Sequence, residues 1–249
     1  ESHAMFMNLH SGNVYCLPDG YQVADNSLGD IRRVLDPRFT SGDVARLDDA
    51  SRWQRALDGS QFLPGLVGLN NVKRSDYANV VVHSLLRVKP FRDFFLLFDA
   101  EAAARANQAK MADKKRKRAA ANASSARANA APASSSSKGG HSSVLVARFG
   151  ELCRKMWNAG NFKGHVSPLE FLLVVQERSQ RRFRADSHSD PVEFLTWLLN
   201  TLHFDLTGGK PHKRKSIVTR CFQGEMEVTK IHDDDGDSDN GGDGDGDGD

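Results

Sequence analysis

The sequence lacks the long apolar runs that membrane proteins need. No stretch of about 18 consecutive apolar residues occurs, and the apolar segment over residues 5–9 is too short for the core of a signal peptide. We therefore expect neither a membrane span nor secretion, and hence an intracellular protein.

Cysteine is also scarce, because Cys16, Cys153 and Cys221 are the only three among 249 residues. Their odd number and wide spacing argue against a disulfide framework, and no Cys-x-x-Cys pair is present. These features are typical of a reducing compartment. Cys153 shares one face of a predicted helix with apolar side chains, so we interpret it as a core residue.

The formal net charge of +2 is the sum of two unlike parts. Residues 233–249 contain nine aspartates and no Lys or Arg, whereas residues 1–232 carry 34 basic and 23 acidic groups. A basic surplus attracts polyanions and acidic protein surfaces, although a solvated basic face without a partner is an equal alternative. Residues 231–249 are interpreted as an acidic disordered tail, since the closing glutamate and flanking helices of a calcium-binding EF-hand are missing.

A low-complexity insertion is predicted over residues 99–143, which consist of Ala, Ser, Asn, Lys and Arg with almost no large apolar side chains. Such a composition cannot bury a core. The insertion contains a basic pentamer that predicts nuclear import, with a solvated charge run as the alternative. Its residues are Lys114, Lys115, Arg116, Lys117 and Arg118.

Apolar periodicity predicts most of the remaining elements. Residues 14–17 and 21–24 suggest a hairpin around Pro18-Asp19-Gly20, and helical spacing is found over residues 27–35 and 43–57. Another helix is predicted to run to about Val88, where Lys89-Pro90 would stop it, and a further one begins at Val144.

Two helix starts carry the same pattern of a capping side chain, a proline and a glutamate. They are Ser167-Pro168-Leu169-Glu170 and Asp190-Pro191-Val192-Glu193, and the second helix is predicted to end at Gly208-Gly209. Residues 217–228 are rich in β-branched and aromatic side chains, which predicts a strand.

The segment over residues 68–79 is a loop that leads into a buried helix. Nucleophiles are often found at such a position, because unpaired amides and the helix dipole stabilise an anion there. The candidate anion is Asp76, but an aspartate is a poor nucleophile toward an amide, and His83 lies two turns further along the same helix. A helix-terminus carboxylate is therefore the preferred interpretation of Asp76, and no nearby group is expected to activate it.

The same segment resembles the cysteine box of ubiquitin-specific proteases, whose pattern is G-L-x-N-x-G-x-T-C-Y-x-N. Asn71 falls on the oxyanion asparagine of that pattern, Asp76 on the catalytic cysteine and Lys73 on a glycine. Residues 189–195 resemble the second box, Q-D-A-x-E-F-L, with His188 and Ser189 where glutamines are usual.

Further short matches resemble one branch of this family, the catalytically degenerate, snRNP-assembly-defective type found in the spliceosomal tri-snRNP. They occur in one order and cover most of residues 3–98 and 144–230. The clearest are Tyr15-Cys16-Leu17-Pro18-Asp19, Leu63-Pro64-Gly65-Leu66-Val67-Gly68-Leu69-Asn70-Asn71, Arg148-Phe149-Gly150-Glu151-Leu152 and Phe222-Gln223-Gly224.

The resemblance implies an α+β fold, namely the helical thumb of a papain-like ubiquitin-specific protease preceded by the end of a UBP-type zinc finger. Residues 1–36 would be the remnant of that finger, 37–61 a helical connector and 62–230 a partial protease-like domain that includes the insertion. His3 is a candidate for the last zinc ligand, with a surface histidine as the preferred alternative. Because the other ligands are absent, we expect no zinc or other cofactor in this chain alone, although a complete finger would hold zinc.

The function implied is a nuclear, non-catalytic scaffold that binds spliceosomal proteins, with ubiquitin binding left open. Asp76 in the cysteine position and the missing histidine box argue against catalysis. The first alternative is an active cysteine-type deubiquitinase. The second is a basic RNA-binding module, in which residues 213–215 and the arginines Arg178, Arg181, Arg182 and Arg184 would contact RNA phosphates. Solvated helix-end charge is the preferred interpretation of these clusters, and RNA contact would be indirect or weak.

Overall fold

In the computed structural model, the described residues are 3–8, 11–48, 53–99 and 144–229. They form seven short strands and eight α-helices. The strands are β1 (Ala4–Met7), β2 (Val14–Leu17), β3 (Gln22–Val23), β4 (Gln54–Arg55), β5 (Gln61–Phe62), β6 (Gly68–Leu69) and β7 (His165–Val166). The helices are α1 (Gly29–Leu35), α2 (Ser41–Arg46), α3 (Asp76–Leu85), α4 (Lys89–Leu97), α5 (Val144–Trp157), α6 (Leu169–Arg178), α7 (Pro191–Leu206) and α8 (Ile217–Phe222).

The strands pair in three small sheets. The first is antiparallel in the order β1-β2-β3, with Met5 opposite Cys16 and Val14 opposite Val23, which confirms the predicted hairpin. β4 and β5 form a second antiparallel pair, and β6 and β7 pair in parallel with Gly68 opposite His165. None of the helices in the described ranges combines the length and the apolar character that crossing a bilayer needs.

The hydrophobic core lies among the helices, where α5 packs against α4, α6 and α7. Phe91, Phe95, Phe149 and Phe171 are almost fully buried and meet edge to face, with ring centroids 4.7–5.8 Å apart. Burying each such side chain contributes roughly 1.5–3 kcal/mol. Cys153 is completely buried in this cluster, as its helical spacing predicted.

Helix α7 begins and ends as its sequence predicts. The carboxylate of Asp190 accepts hydrogen bonds from the amides of Val192 at 2.6 Å and Glu193 at 3.0 Å, and Pro191 occupies the first turn. At the other end Gly208 and Gly209 adopt positive φ, and the amide of Gly209 donates to the carbonyl of Phe204 at 2.9 Å. This is the left-handed termination that glycine permits.

The predicted strand over residues 217–228 is wrong, because residues 217–222 form α8. Ser216 Oγ accepts from the amide of Val218, while the amide of Ser216 donates to Thr219 Oγ1 at 3.0 Å. These reciprocal bonds cap the helix start, and burial of Ile217 and Val218 outweighs their strand preference.

Two predicted helix boundaries also differ. Instead of a helix over residues 43–57, α2 ends at Arg46 and residues 54–55 pair with residues 61–62 around a turn at Gly59, whose φ is +83°. Of the apolar positions that favoured the longer helix, Val44 in α2 is buried, whereas Trp53 and Leu57 are exposed. Lys89-Pro90 does not simply stop α3, which already ends at Leu85, but forms the first turn of α4, where a missing amide costs little.

The helix start predicted at Ser167 is displaced by one residue. α6 begins at Leu169, with Pro168 preceding it, and Ser167 Oγ accepts only a long 3.4 Å hydrogen bond from the amide of Leu169. The carboxylate of Glu170 contacts Arg148 at 3.1 Å instead of the helix start. The proposed insertion beyond Asp99 and the acidic tail lie outside the described residues.

Candidate functional site

The loop that precedes α3 is held by its own polar side chains. Asn71 Oδ1 accepts from the amide of Ser75 at 2.9 Å, and Ser75 Oγ accepts from the amide of Val72 at 3.0 Å. Asn79 Nδ2 donates to the carbonyls of Leu69 at 3.4 Å and Asn70 at 3.3 Å. Since Ser75 is fully buried, the loop has a defined conformation at the start of the helix.

Lys73 adopts a left-handed backbone conformation within this loop, with a φ of +62°. Glycine takes this conformation without steric cost, whereas a residue with a Cβ pays about 1–2 kcal/mol. A glycine, which the protease pattern has at this position, would adopt the left-handed conformation without strain. In this chain a lysine adopts that conformation.

Asp76 begins α3, with its side chain 61% exposed. Its nearest ionic partner is His188, whose Nδ1 lies 3.7 Å from Asp76 Oδ1 and whose side chain is 70% exposed. An exposed pair of this kind contributes at most about 1 kcal/mol and is screened by salt. Asp76 is thus a solvated carboxylate at the positive end of a helix.

Tyr77 joins this helix start to the segment before α7. Its hydroxyl donates to the carbonyl of Arg184 at 3.2 Å, and its ring meets Phe194 edge to face at 5.3 Å and Phe183 at 6.3 Å. Burial raises the pKa of Tyr77 despite a hydrogen bond with Ser189. The structure therefore brings together the two segments over residues 68–79 and 189–195 that sequence analysis singled out.

The arrangement has the backbone of a nucleophile site but lacks a thiol in it. Cys153 is buried in the core, and this burial raises the pKa of its thiol far above the ordinary range. Cys16 lies in β2 and Cys221 in α8. Covalent acyl transfer needs an activated nucleophile with a base in hydrogen-bond reach, and Asp76 with an exposed histidine at 3.7 Å does not supply one.

Comparison with known proteins relates this site to a family. Residues 67–236 match the family described as "Ubiquitin carboxyl-terminal hydrolase". The chain belongs to that family. Membership identifies the α+β fold of this family, and the matched residues include the loop before α3 and Asp76.

Several members of the family are similar to this chain. It is 43% identical over 91% of its length to "Ubiquitin carboxyl-terminal hydrolase 39" of Homo sapiens and 36% identical over 92% to "Probable mRNA-splicing protein ubp10" of Schizosaccharomyces pombe. The matched regions are 35% and 38% of those proteins, so the chain spans little more than a third of their length.

A solved structure shares the fold of this chain. It is described as "Crystal structure of an essential yeast splicing factor" and matches 84% of this chain and 43% of that one, with a TM-score of 0.56 and 23% sequence identity. At this identity the likeness concerns the fold.

His188 lies beside Asp76, and nothing in the sequence indicates this proximity. The distance of 3.7 Å is too long for a hydrogen bond, and the expectation that no nearby group activates Asp76 stays a prediction. In the resemblance to the family's second box, His188 falls on a position where a glutamine is usual. His83, which sequence analysis considered, is half-buried on α3, where burial and the neighbouring Arg87 lower its pKa.

His3 has two neighbours that sequence analysis did not connect with it. Its Nδ1 lies 2.7 Å from Asp19 Oδ2 and 3.7 Å from Cys16 Sγ, and the three ligand atoms lie within 4.8 Å of one another. Zinc accepts imidazole, thiolate and carboxylate, but a structural site takes four protein ligands. The described residues supply three, so they do not fit a closed zinc site, and the absence of zinc from this chain alone stays a prediction.

The remaining candidate residues have different outcomes. Lys114, Lys115, Arg116, Lys117 and Arg118 lie outside the described residues, so their role in nuclear import stays a prediction. Three arginines considered for RNA contact have carboxylate partners: Arg178 with Asp205, Arg182 with Glu193 and Arg184 with Asp186, at 2.7–2.9 Å.

Proposed function

We propose that this chain is part of a non-catalytic ubiquitin-protease-like scaffold in pre-mRNA splicing. It would support the assembly or stability of the tri-snRNP through protein binding, in the nucleus. The observation that carries the proposal is Asp76, an exposed carboxylate at the helix start where proteases of this family have their thiol. The similarity to "Probable mRNA-splicing protein ubp10" supports the biological setting.

Protein binding needs an ordered surface but no reactive group. The loop around Asn71 and Ser75 is held by hydrogen bonds, Tyr77 makes buried ring contacts, and the residue that begins α3 is a carboxylate. A fold retained without its nucleophile still offers a shaped surface to spliceosomal proteins. Ubiquitin is a candidate partner for the same surface, since binding does not require a thiol.

Affinity purification of the full-length protein from nuclear extract tests this proposal. We expect recovery of spliceosomal proteins and tri-snRNP RNAs, both from the natural protein and from Asp76→Ala. The variant is the matched control, because a scaffold does not need the carboxylate for chemistry. Recovery of the natural protein without any spliceosomal component would contradict the proposal.

The alternative of an active deubiquitinase is tested with an electrophilic ubiquitin probe. A thiol in the active site forms a covalent adduct with such a probe, whereas a carboxylate in its place should not. We expect no adduct with the full-length protein under conditions in which a known cysteine deubiquitinase reacts completely. An adduct that maps to any cysteine near the α3 start would overturn the non-catalytic assignment.

A further inference from the structure

A groove with a volume of about 950 Å³ lies between α7 and α8, and none of the residues that line it belongs to the loop before α3. Its apolar surface is formed by Phe204 and Phe222, which are 44% and 38% exposed, together with the buried Val218. One wall is the connection between the two helices, which carries exposed cationic side chains. These are Lys210, Lys213, Arg214 and Lys215.

The cationic wall is held in place by a histidine from α7. His203 Nε2 lies 3.1 Å from the carbonyl of Pro211, and His203 Nδ1 lies 2.8 Å from Ser216 Oγ. A neutral imidazole satisfies both contacts by donating to the carbonyl and accepting from the hydroxyl. Because His203 contacts both ends of residues 211–216, the cationic side chains lie on a fixed loop beside the groove.

No acidic residue lines this groove among the described residues. Elsewhere on the described surface, cations commonly have carboxylate partners, as Arg148 has Glu151 at 2.6 Å and Arg184 has Asp186 at 2.7 Å. Lys213, Arg214 and Lys215 make no ion pair within the described part of the chain. The groove thus concentrates positive charge without internal compensation, which suits an anionic ligand.

The chain itself carries a matching polyanion close by. Phe222 and Gln223 form one rim of the groove, and the nine aspartates begin at Asp233, ten residues beyond Gln223. Ten residues reach up to about 33–36 Å when extended, which exceeds what a return to residues 210–215 requires. A short tether also gives its segment an effective concentration of about millimolar at a nearby site.

We propose that the groove between α7 and α8 is a binding site for an aspartate-rich segment, and that its occupant is residues 233–249 of the same chain. Exposed ion pairs are individually weak and screened by salt. The contact therefore depends on several aspartates acting together and on the tether. Nucleic acid offers the same negative charge but lacks the tether, so it has to displace the tail in order to bind the groove.

Carbodiimide cross-linking of the full 249-residue chain, read by mass spectrometry, tests where the tail lies. At low ionic strength we expect amide cross-links from residues 233–249 to Lys210, Lys213 and Lys215, with few to the exposed Lys73 and Lys163. The preference should fall at least about fivefold at 1 M salt, where the screening length is about 3 Å. Cross-links spread evenly over all lysines, or found only between two chains, would overturn the proposal.

Competition with a polyanion provides a second readout. Replacing the nine aspartates by asparagine should raise the affinity for a single-stranded oligouridine by about tenfold at low salt, because the tail no longer occupies the groove. K213Q/R214Q/K215Q should abolish that gain. The matched control R55Q/K163Q/R181Q removes three exposed cations away from the groove and should retain it. Equal oligouridine affinity with either tail would contradict the proposal.

Discussion

Asp76 is the residue on which the proposed lack of catalysis depends, and replacing it by cysteine tests this proposal. We expect Asp76→Cys in this 249-residue chain to hydrolyse a ubiquitin C-terminal fluorogenic ester or amide no faster than Asp76→Ala. The reason is that the only described histidine near position 76 is His188, which is 70% exposed and 3.7 Å from the carboxylate. A thiol at a helix start needs an oriented base to attack an amide.

The two variants share the folded loop, so unfolding midpoints measured in urea serve as the control for structure. Hydrolysis by Asp76→Cys that is at least tenfold above Asp76→Ala and is lost in Asp76→Cys/His188→Gln would show that His188 suffices as a base. That result would also mean that only the thiol has been lost from this site.

Gly65 is a second position where one residue decides the packing, because there is no room for a side chain. A Cβ there would lie 2.6 Å from ring atoms of Trp157, and its φ of +78° disfavours other residues. We expect Gly65→Ala to reduce the unfolding free energy by about 3 kcal/mol, through overpacking added to backbone strain. Gly59→Ala is the matched control, because Gly59 has a φ of +83° but no atom within 4 Å of its Cβ position. We expect a loss of only about 1 kcal/mol there, and equal losses in urea unfolding would argue against the ring contact.

An ion cluster joins the end of α2 to α4. Asp48, which follows α2, accepts from Arg92 at 2.8 Å and from Lys89 at 2.6 Å, both in α4, and Arg92 also lies 4.5 Å from the ring of Trp157. Hydrogen bonds from Arg92 and then Lys89 hold the pKa of Asp48 well below its usual range. Because the folded-state pKa is depressed, the stabilisation is present above the unfolded value of about 4 and is lost as the pH falls toward the folded value.

Asp48→Asn should therefore reduce the unfolding free energy by about 1 kcal/mol at pH 7, a figure limited by the 37% exposure of the carboxylate. The difference from the natural chain should shrink as the pH is lowered below about 4. Urea unfolding at pH 7 and at pH 3 measures this difference in unfolding free energy. Asp186→Asn is the control: its carboxylate is similarly exposed, but its partner Arg184 is 49% exposed whereas Arg92 is 5% exposed, so the effect should be smaller. A difference that stays constant down to pH 3 would exclude the ion cluster as its source.

At the scale of elements, the sequence predicts best where local chemistry and burial agree. Asp190, Pro191 and the two glycines after α7 each favour the boundary that the structure has. Residues 217–222 show the opposite case, since β-branched side chains favour a strand while a serine cap and packing against α7 and α4 produce a helix. Propensity is a weak signal, and tertiary contacts override it when they bury the same residues in another conformation.

At the scale of the whole molecule, the sequence predicts the candidate site only as two separate segments and does not predict that they meet. Residues 68–79 and 189–195 are each recognisable, but their contact through Tyr77 and Phe194 joins positions more than a hundred residues apart. The proximity of His188 to Asp76 and of His3 to Asp19 likewise depends on chain folding, which periodicity does not encode. The residue types are therefore evident from the sequence, whereas their partners need the structure.

The proposed nuclear localisation concerns the whole molecule, and the basic pentamer allows a direct test of it. Replacing Lys114, Lys115, Arg116, Lys117 and Arg118 by glutamine should move the chain from nucleus to cytoplasm when it is fused to a reporter too large for passive passage. Import receptors recognise clustered positive charge, and glutamine removes the charge while keeping side-chain length. K213Q/R214Q/K215Q is the matched control, because that cluster lies on a folded loop fixed by His203 and is expected to leave localisation unchanged. A shift to the cytoplasm in the control alone would assign import to the groove wall and would contradict the role of the pentamer.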